Sequence, residues 1–513
     1  MEIEMLSSQA LLLLLVSILS SSLLFLFSKK SPSKKSNGSS GFVTYPIVGN
    51  LPPFLKNRHR WLQWLTEVLR EQPTNMITFW RPGNLRGVIT ANPANVEHIL
   101  KTNFLNYPKG ERFITTLEDF LGQGIFNSDG DLWKVQRKTA SFEFNTKSLR
   151  NFVVESVRDE LLNRLFPILT RASKTSETLD LQDILERFAF DNVCKVAFNE
   201  DPMCLAAPVA ASGQLSPDFA NAFETATSLS SGRFRYVIPY LWKIKKLLNI
   251  GSEKKLKEAI SIVHSFAMKI IQDRKKAGPA TDTDLLSRFM ASTDSSDELL
   301  RDIVVSFILA GRDTTSSTLA WFFWLLSSRP DVEKNIREEV KKVRAQFQNN
   351  DQTFSFEELR EMHYLHAAIS EALRLYPPVS VDTKACLKDD VLPDGTFVGK
   401  GWFVTYNAYA MGRMEAIWGK DCEEYVPERW LDNGVFRTES PYRFPVFHAG
   451  PRMCLGREMA YIQMKSIVAL VVENFQIDVL GKDTCPEHML SLTLRMKYGL
   501  PVRVGKKGVD KIE

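Results

Sequence analysis

The residues best placed to do chemistry lie around Cys454, in the run Phe447-His448-Ala449-Gly450-Pro451-Arg452-Met453-Cys454-Leu455-Gly456. Gly450, Pro451 and Gly456 shape a tight loop, and Arg452 puts a cation two residues before the cysteine. Helical character resumes over Glu458–Phe475, so Cys454 stands near a helix N-terminus. There the dipole and free N–H groups favour a thiolate. A thiolate in such a loop can ligate haem iron axially, pushing electron density that favours O–O cleavage. For a lone cysteine the plainer reading is a buried structural thiol; the ten-residue pattern argues against it.

A second candidate lies in the apolar stretch Ile303–Leu326, whose centre reads Ala310-Gly311-Arg312-Asp313-Thr314-Thr315-Ser316-Ser317-Thr318. Two charges and a run of hydroxyls at a bilayer midplane would be costly, so a helix buried in protein is expected, ending at Arg329-Pro330. Ala310 and Gly311 remove bulk and let something flat or gaseous approach the backbone. Asp313 and Thr314 can then relay protons into that space. The alternative is a helix kink with threonine bonding back to a carbonyl. A third pair, Glu371 and Arg374, shares one helix face at i,i+3 and can form a charge-assisted pair. His363 and His366, on the lead-in to that helix, read as packing residues.

The elements that must position these groups follow from periodicity. Most segments from Trp61 onward are helical, including Leu149–Leu165, stopping short of Pro167, and Glu253–Lys276. Strand-like pieces are few: Met76–Phe79, Gly87–Thr90 and Phe397–Tyr406, the last after a Pro393-Asp394-Gly395 turn that predicts a hairpin. Loops are expected at Gly278–Thr283 and Ser292–Glu298. The fold class is mainly α with small β-sheets. The 513 residues are 44% hydrophobic and 24% charged, ordinary for a folded protein large enough to enclose a cofactor. A formal charge of +5 without a clustered basic face gives no support to nucleic-acid binding. The six cysteines are scattered, with no Cys-x2-Cys pair, as in a protein facing a reducing compartment.

Near the N-terminus, Leu6–Phe27 is apolar but for serines and Gln9. As a helix it spans roughly 33 Å, against about 30 Å of hydrocarbon. Glu2 and Glu4 precede it and Lys29, Lys30, Lys34 and Lys35 follow, which places the C-terminal side in the cytosol. A cleaved signal peptide would want a basic start and a shorter apolar core. The expected organisation is an anchor over 1–28, a Ser/Lys/Gly-rich flexible linker over 29–44, and a catalytic domain over 45–513.

Phe-x2-Gly-x-Arg-x-Cys-x-Gly resembles the haem signature of the cytochrome P450 superfamily. Four further matches fall in that family's order. Glu371-Ala372-Leu373-Arg374 is similar to its Glu-x2-Arg motif. Pro427-Glu428-Arg429-Trp430 resembles the segment whose arginine completes a triad. Ala310 to Thr314 resembles its oxygen-activation motif, and Trp133-x3-Arg137 the helix that contacts a haem propionate. The resemblance implies the P450 fold carried by one N-terminal transmembrane helix, with haem b (iron protoporphyrin IX) and O2. It implies Cys454 as proximal ligand and Asp313 and Thr314 as proton donors. Trp133, Arg137, Ala310, Gly311, Phe447, Gly450, Arg452 and Gly456 would contact the cofactor; Glu371, Arg374 and Arg429 would be structural. It also implies electrons from NADPH through a separate NADPH–cytochrome P450 reductase, at the endoplasmic reticulum membrane with the catalytic domain cytosolic. Lys134, Lys138, Arg452, Arg457 and Lys465 could form a basic docking face; a merely solvated charge run carries equal weight.

Phe113, Leu117, Phe120, Phe126, Phe307, Val379, Val381, Leu492 and Leu494 are apolar candidates for the space over the haem. Each taken singly is more readily plain core; together they suggest a greasy substrate. Phe120–Asn127, Ser141–Thr146, Leu375–Val379 and Tyr409–Arg413 resemble the plant family 94 enzymes, a branch associated with oxidation of terminal carbons. The implied activity is ω-hydroxylation of a fatty acid or related lipid. Alternatives are C-26 hydroxylation of a sterol side chain in steroid or saponin metabolism, hydroxylation of a hormone conjugate, a haem-thiolate isomerase, and a non-catalytic haem sensor. Ser380 stands where fatty-acid members are expected to carry a further proline.

Overall fold

The computed structural model describes residues 42, 44–45, 48–83, 85–144, 147–206, 217–236, 241–277, 284–291 and 296–507. The expected anchor Leu6–Phe27, nearly all of the 29–44 linker and the loop expected at Gly278–Thr283 lie outside them. Among the described residues no helix is long and apolar enough to cross a membrane.

A hairpin of β1 (Met76–Arg81) and β2 (Leu85–Thr90) opens the fold. Two helices follow, α1 (Glu111–Leu121) and α2 (Gly130–Phe144). From Lys147 the chain stays helical as far as Thr175, past the stop expected at Pro167. A wider π turn at Leu161–Leu165 sets Pro167 in the first turn of the next helical segment, where a missing N–H costs nothing. Next comes α3 (Leu181–Phe198), whose N-cap Asp180 accepts from the Gln182 and Asp183 N–H groups. The helices α4 (Pro217–Gly232) and α5 (Gly251–Ala277) then pack on each other.

The long central helix is α6 (Asp297–Ile308), a π turn at Leu309–Asp313, and α7 (Thr314–Ser327). Ser296 caps it, so Asp297 and Glu298, expected in a loop, already belong to its first turn. After α8 (His363–Leu375) come β3 (Val381–Ala385) and β4 (Phe403–Asn407), which complete a sheet in the order β1-β2-β4-β3. The strand expected over Phe397–Tyr406 is broken. Phe397–Val398 pairs with Asp390–Val391 across the predicted turn, where Gly395 has φ +85°, and a turn at 399–402 separates it from β4. Last come α9 (Arg457–Asn474) and the small hairpin of β5 (His488–Leu490) and β6 (Leu494–Met496).

Two apolar clusters fill this frame. One gathers α1, α3, α4, α5 and α6; the other gathers the sheet, α7, α8 and α9. The central helix passes from one to the other: Ile303–Leu309 belong to the first and Leu319–Phe323 to the second. Ala310–Thr314 falls at the boundary, where a space between two cores can be lined without puncturing either.

Candidate active site

The cysteine loop is closed by its own backbone: the Cys454 N–H donates to Phe447 O at 2.8 Å, and Met453 N–H to Gly450 O at 3.0 Å. Gly450 has φ +65°, and a Cβ there would lie 2.0 Å from Leu100 O. Glycine is therefore required twice over, by conformation and by close approach. Gly456 is under no such constraint, since a Cβ there would meet only Phe144 at 3.6 Å. The Phe447 ring packs on Tyr461 at 5.4 Å. Cys454 is exposed, although it lies deep in the molecule. That exposed face opens on the space from which a ligand can reach the thiol. Burial pushes the thiol pKa up, while the Gly456 N–H, Arg137 and Arg457 pull it down. In the protein alone desolvation wins over the expected helix-terminus effect; a bound cation would reverse the balance.

Cations converge on the same space. Arg452 donates to Asp129 Oδ1 at 2.6 Å and Ser128 O at 3.0 Å, and its guanidinium lies 4.2 Å from the Trp133 ring centre. Its Nε is buried without a partner. Arg137, half-buried, has no carboxylate partner among the described residues, and burial lowers its pKa. An orphaned guanidinium N–H and an unneutralised arginine beside an accessible thiol fit an anionic, iron-bearing macrocycle. Cys454 would hold its iron, Arg452, Arg137 and Trp133 its carboxylates, and it would supply dioxygen activation.

His448, whose role the sequence leaves open, ties the cysteine loop to the sheet. Its Nδ1 accepts from the Ala449 N–H at 2.8 Å and its Nε2 meets Asp382 at 3.1 Å. Burial brings its pKa down to about 4, so the ring is neutral and Nε2–H donates. Asp382 also holds Lys109 at 2.8 Å and Lys384 at 2.7 Å. Burial alone would raise that carboxyl, but the two lysines hold it well below the ordinary range. Burial lowers Lys384 to about 7. Sequence reasoning missed Lys109, Asp129, Asp382 and Lys384; Asp382 and Lys384, two apart on one strand, were the available signal.

On the central helix the structure shows the alternative, a kink with threonine bonding back to a carbonyl. The π turn is the kink, and Thr314 Oγ1 donates back to Ala310 O at 2.7 Å. Ala310 and Thr314 are half-buried and share one side. Gly311 has a packing reason for its small size. A Cβ there would lie 2.4 Å from Val193 Cγ2, so its small size serves packing against α3. Asp313 turns the other way and accepts from Arg312 Nη1 at 2.7 Å.

Glu371 and Arg374 form a bidentate pair, both bonds 2.7 Å, with no exposed side-chain surface. Arg374 also donates to the carbonyls of Gly412, Cys422 and Glu424. Glu371 accepts from Arg429 Nε at 3.3 Å, the Val426 N–H at 3.0 Å and Trp430 Nε1 at 2.9 Å. The link to the cysteine loop is indirect, through Trp430 on Phe444 at 4.7 Å, just ahead of the loop. His366 stacks on Tyr461 at 3.9 Å, a packing role.

The substrate candidates divide. Phe113 and Leu492 are half-buried, and Val379 is 40% exposed beside the rigid Pro377-Pro378 step. Phe120 and Leu494 are wholly buried and Phe307 nearly so. Phe120 packs on Phe223, Phe307 stacks on Phe144, and Leu494 N–H donates to Pro378 O. These three are core, because their faces are already filled by neighbours. Leu494→Ala should therefore cost about 2–5 kcal/mol of stability, read from a melt, and leave regiochemistry unchanged. The basic face also shrinks: Lys465 is buried, donating to Leu359 O, and Arg452 is taken by Asp129. Lys134 and Lys138 remain exposed and Arg457 half-buried.

An accessible cysteine with the unneutralised Arg137 and the partly satisfied Arg452 beside it fits a haem-thiolate enzyme. The cytochrome P450 family profile matches residues 40–500. The chain is 54% identical over 483 residues to cytochrome P450 CYP94D108 of Paris polyphylla, covering 94% of each. It is 49% identical over 480 residues to cytochrome P450 94A1 of Vicia sativa, covering 90% of each. To cytochrome P450 94B1 of Arabidopsis thaliana it is 46% identical over 495 residues, covering 94% of each. The chain belongs to the cytochrome P450 family and is a monooxygenase of it, with relatives in family 94. Membership implies haem, O2 and electrons from a reductase.

Proposed function

We propose that this monooxygenase hydroxylates the terminal carbon of a lipophilic alkyl chain, a fatty acid or related lipid, with haem b and electrons drawn from NADPH through its reductase. The observation that carries the reading is Val379. It is exposed beside two prolines, two residues before β3, whose Asp382 and Lys384 meet His448 of the cysteine loop. Terminal C–H bonds are stronger than internal ones, so end-selectivity needs a chain held with only its tip at the reacting oxygen. A fixed apolar side chain beside the site supplies that restraint, and family 94 is associated with such oxidation. Ser380 favours a second reading, the terminal carbon of a sterol side chain. Reductase-supplemented membranes given a fatty acid and a hydroxylated sterol together should yield the ω-hydroxy acid. Exclusive sterol oxidation would establish the second reading instead. In Val379→Ala, hydroxylation should move inward along the chain with the haem spectrum unchanged. Mass spectra showing only terminal product would remove Val379 from the channel.

Asp313 and Thr314 deliver protons. Thr314 stands on the open side of the π turn, with its hydroxyl proton on Ala310 O and its lone pairs free to accept. Thr314→Ala should bind haem and substrate normally yet lose about 10²–10⁴-fold in product formation, with oxygen uptake diverted to peroxide. Unchanged coupling of NADPH to product would refute the role.

The catalytic domain is held at the endoplasmic reticulum by Leu6–Phe27, and exposed Lys134 and Lys138 with Arg457 meet an acidic reductase face. Removing residues 1–30 should release a haem-containing protein from membranes. Pelleting of the truncated protein after a high-salt wash would count against a sole N-terminal anchor.

A further inference from the structure

Asp313 points away from the open side of the central helix, into a group of charges that the chemistry above does not use. Arg312 bridges Asp313, at 2.7 Å, and Glu186 of α3, at 2.9 Å. Arg495 on β6 reaches Glu186 at 2.8 Å and also pairs with Glu224 of α4. Glu186 and Asp313 are nearly sealed from solvent, whereas Glu224 is 34% exposed. Between them lies a cavity of about 20 Å³, room for one water. Every residue lining it is polar, among them Ser316, Ser317, Thr227 and Thr493. The Arg495 Nε is buried in that wall and, despite its nearness to Glu186, makes no hydrogen bond. A buried N–H that is ion-paired but misaligned for a hydrogen bond, beside an all-polar cavity large enough for one water, marks a site for water.

We propose that Glu186 is an outer proton-relay group, taking protons from solvent through this cavity, past Glu224, and passing them by way of cavity water to Asp313. The inference rests on the proposed role of Asp313 and Thr314. The charge count supports it. Three carboxylates, Glu186, Asp313 and Glu224, face two guanidiniums, Arg312 and Arg495, which leaves one negative charge that a single proton neutralises. Arginine does not give up its proton, so the transferable one rests on a carboxylate. Burial pushes Glu186 up to about 7, against the pull of Arg312 and Arg495 and with Asp313 and Glu224 adding to the rise. The step balances: a solvent proton joins Glu186, Glu186 returns to carboxylate as water carries that proton to Asp313, and Asp313 returns to carboxylate as it gives the proton inward. Monooxygenation consumes the protons.

The test compares the holoenzyme with Glu186→Gln, Glu186→Asp and Glu224→Gln. Wild-type coupling should fall as pH rises through about 7, because the loaded form of Glu186 is lost. In Glu186→Gln, coupling should be low and flat with pH, product formation about 10-fold slower, and the solvent isotope effect larger. That is less than the ~10² cost of losing a direct donor, since water can bypass it. Substrate affinity and the carbon-monoxide spectrum should not change, and Glu186→Asp should restore part of the pH dependence. An independent readout is the pH-difference infrared spectrum of the resting enzyme, where a carboxylic-acid band appearing below about pH 7 should vanish in Glu186→Gln. Retention of that band, or of wild-type coupling and pH profile, overturns the proposal. If Glu186→Gln holds no haem, Glu224→Gln decides, since it changes a partly exposed residue: an unaltered solvent isotope effect there overturns the route. Should Asp313→Asn and Thr314→Ala stay fully coupled, the inner relay itself is refuted; loss of coupling there with unchanged Glu186 variants refutes only the outer route.

Discussion

Cys454→Ala is expected to abolish the reduced carbon-monoxide band of a thiolate-ligated iron and to lower product formation to background. No neighbour can replace the ligand. His448 has both ring nitrogens engaged, by the Ala449 N–H and by Asp382. Cys194, Cys386 and Cys422 are buried elsewhere, in separate hydrogen-bonded or apolar settings. The loop itself should survive, because it is closed by the Cys454 N–H and Phe447 carbonyl, which alanine keeps. The thiol is accessible, so its removal leaves no packed cavity, and the melting of the protein freed of haem should shift by no more than a surface change, about 0.5 kcal/mol. The paired result, a lost spectrum with a kept fold, assigns the effect to ligation. A normal band in the variant would remove Cys454 from the iron.

Legibility followed locality. The cysteine loop, the Glu371–Arg374 pair and the Trp133–Arg137 turn are each fixed by residues a few positions apart, so their spacing carried them. Side-chain direction did not come through in the same way. Phe113 and Phe120 lie on one helix and look alike in sequence, yet one is half-buried and the other sealed against Phe223. Which face meets a neighbour depends on where α4 packs, and that is non-local. Gly311 shows the same limit. Its small size was legible, but the reason is Val193 on a helix more than a hundred residues earlier. Buried charge was the least visible. Lys465 and Arg452 read as surface cations until a carbonyl and a carboxylate from distant segments took them up. The same is true of Glu186, which nothing in its neighbourhood of α3 marks as facing Asp313.

The second large effect is expected at Arg374. Arg374→Ala leaves Glu371 as a sealed carboxylate whose bidentate partner is gone, a change that costs about 3–5 kcal/mol. It also strips donors from the carbonyls of Gly412, Cys422 and Glu424, each about 1–3 kcal/mol if left unsatisfied. Against a total stability of about 5–15 kcal/mol, the sum leaves little folded protein. Arg374→Lys should not rescue it, since an ammonium cannot serve Glu371 bidentately and also reach three carbonyls. Arg429→Ala is the informative control. Arg429 meets Glu371 through one contact of 3.3 Å and keeps some exposure, so water can replace it in part, and about 1.5–3 kcal/mol is expected. The order of loss, Arg374→Ala beyond Arg374→Lys beyond Arg429→Ala, should appear both in melting temperature and in haem content per chain. The cysteine loop should fail with the triad, because Phe444 at its entrance packs on Trp430, whose indole N–H is held by Glu371. If Arg374→Ala were to melt within a few degrees of the parent and keep its haem, the buried pair would not be what supports the loop.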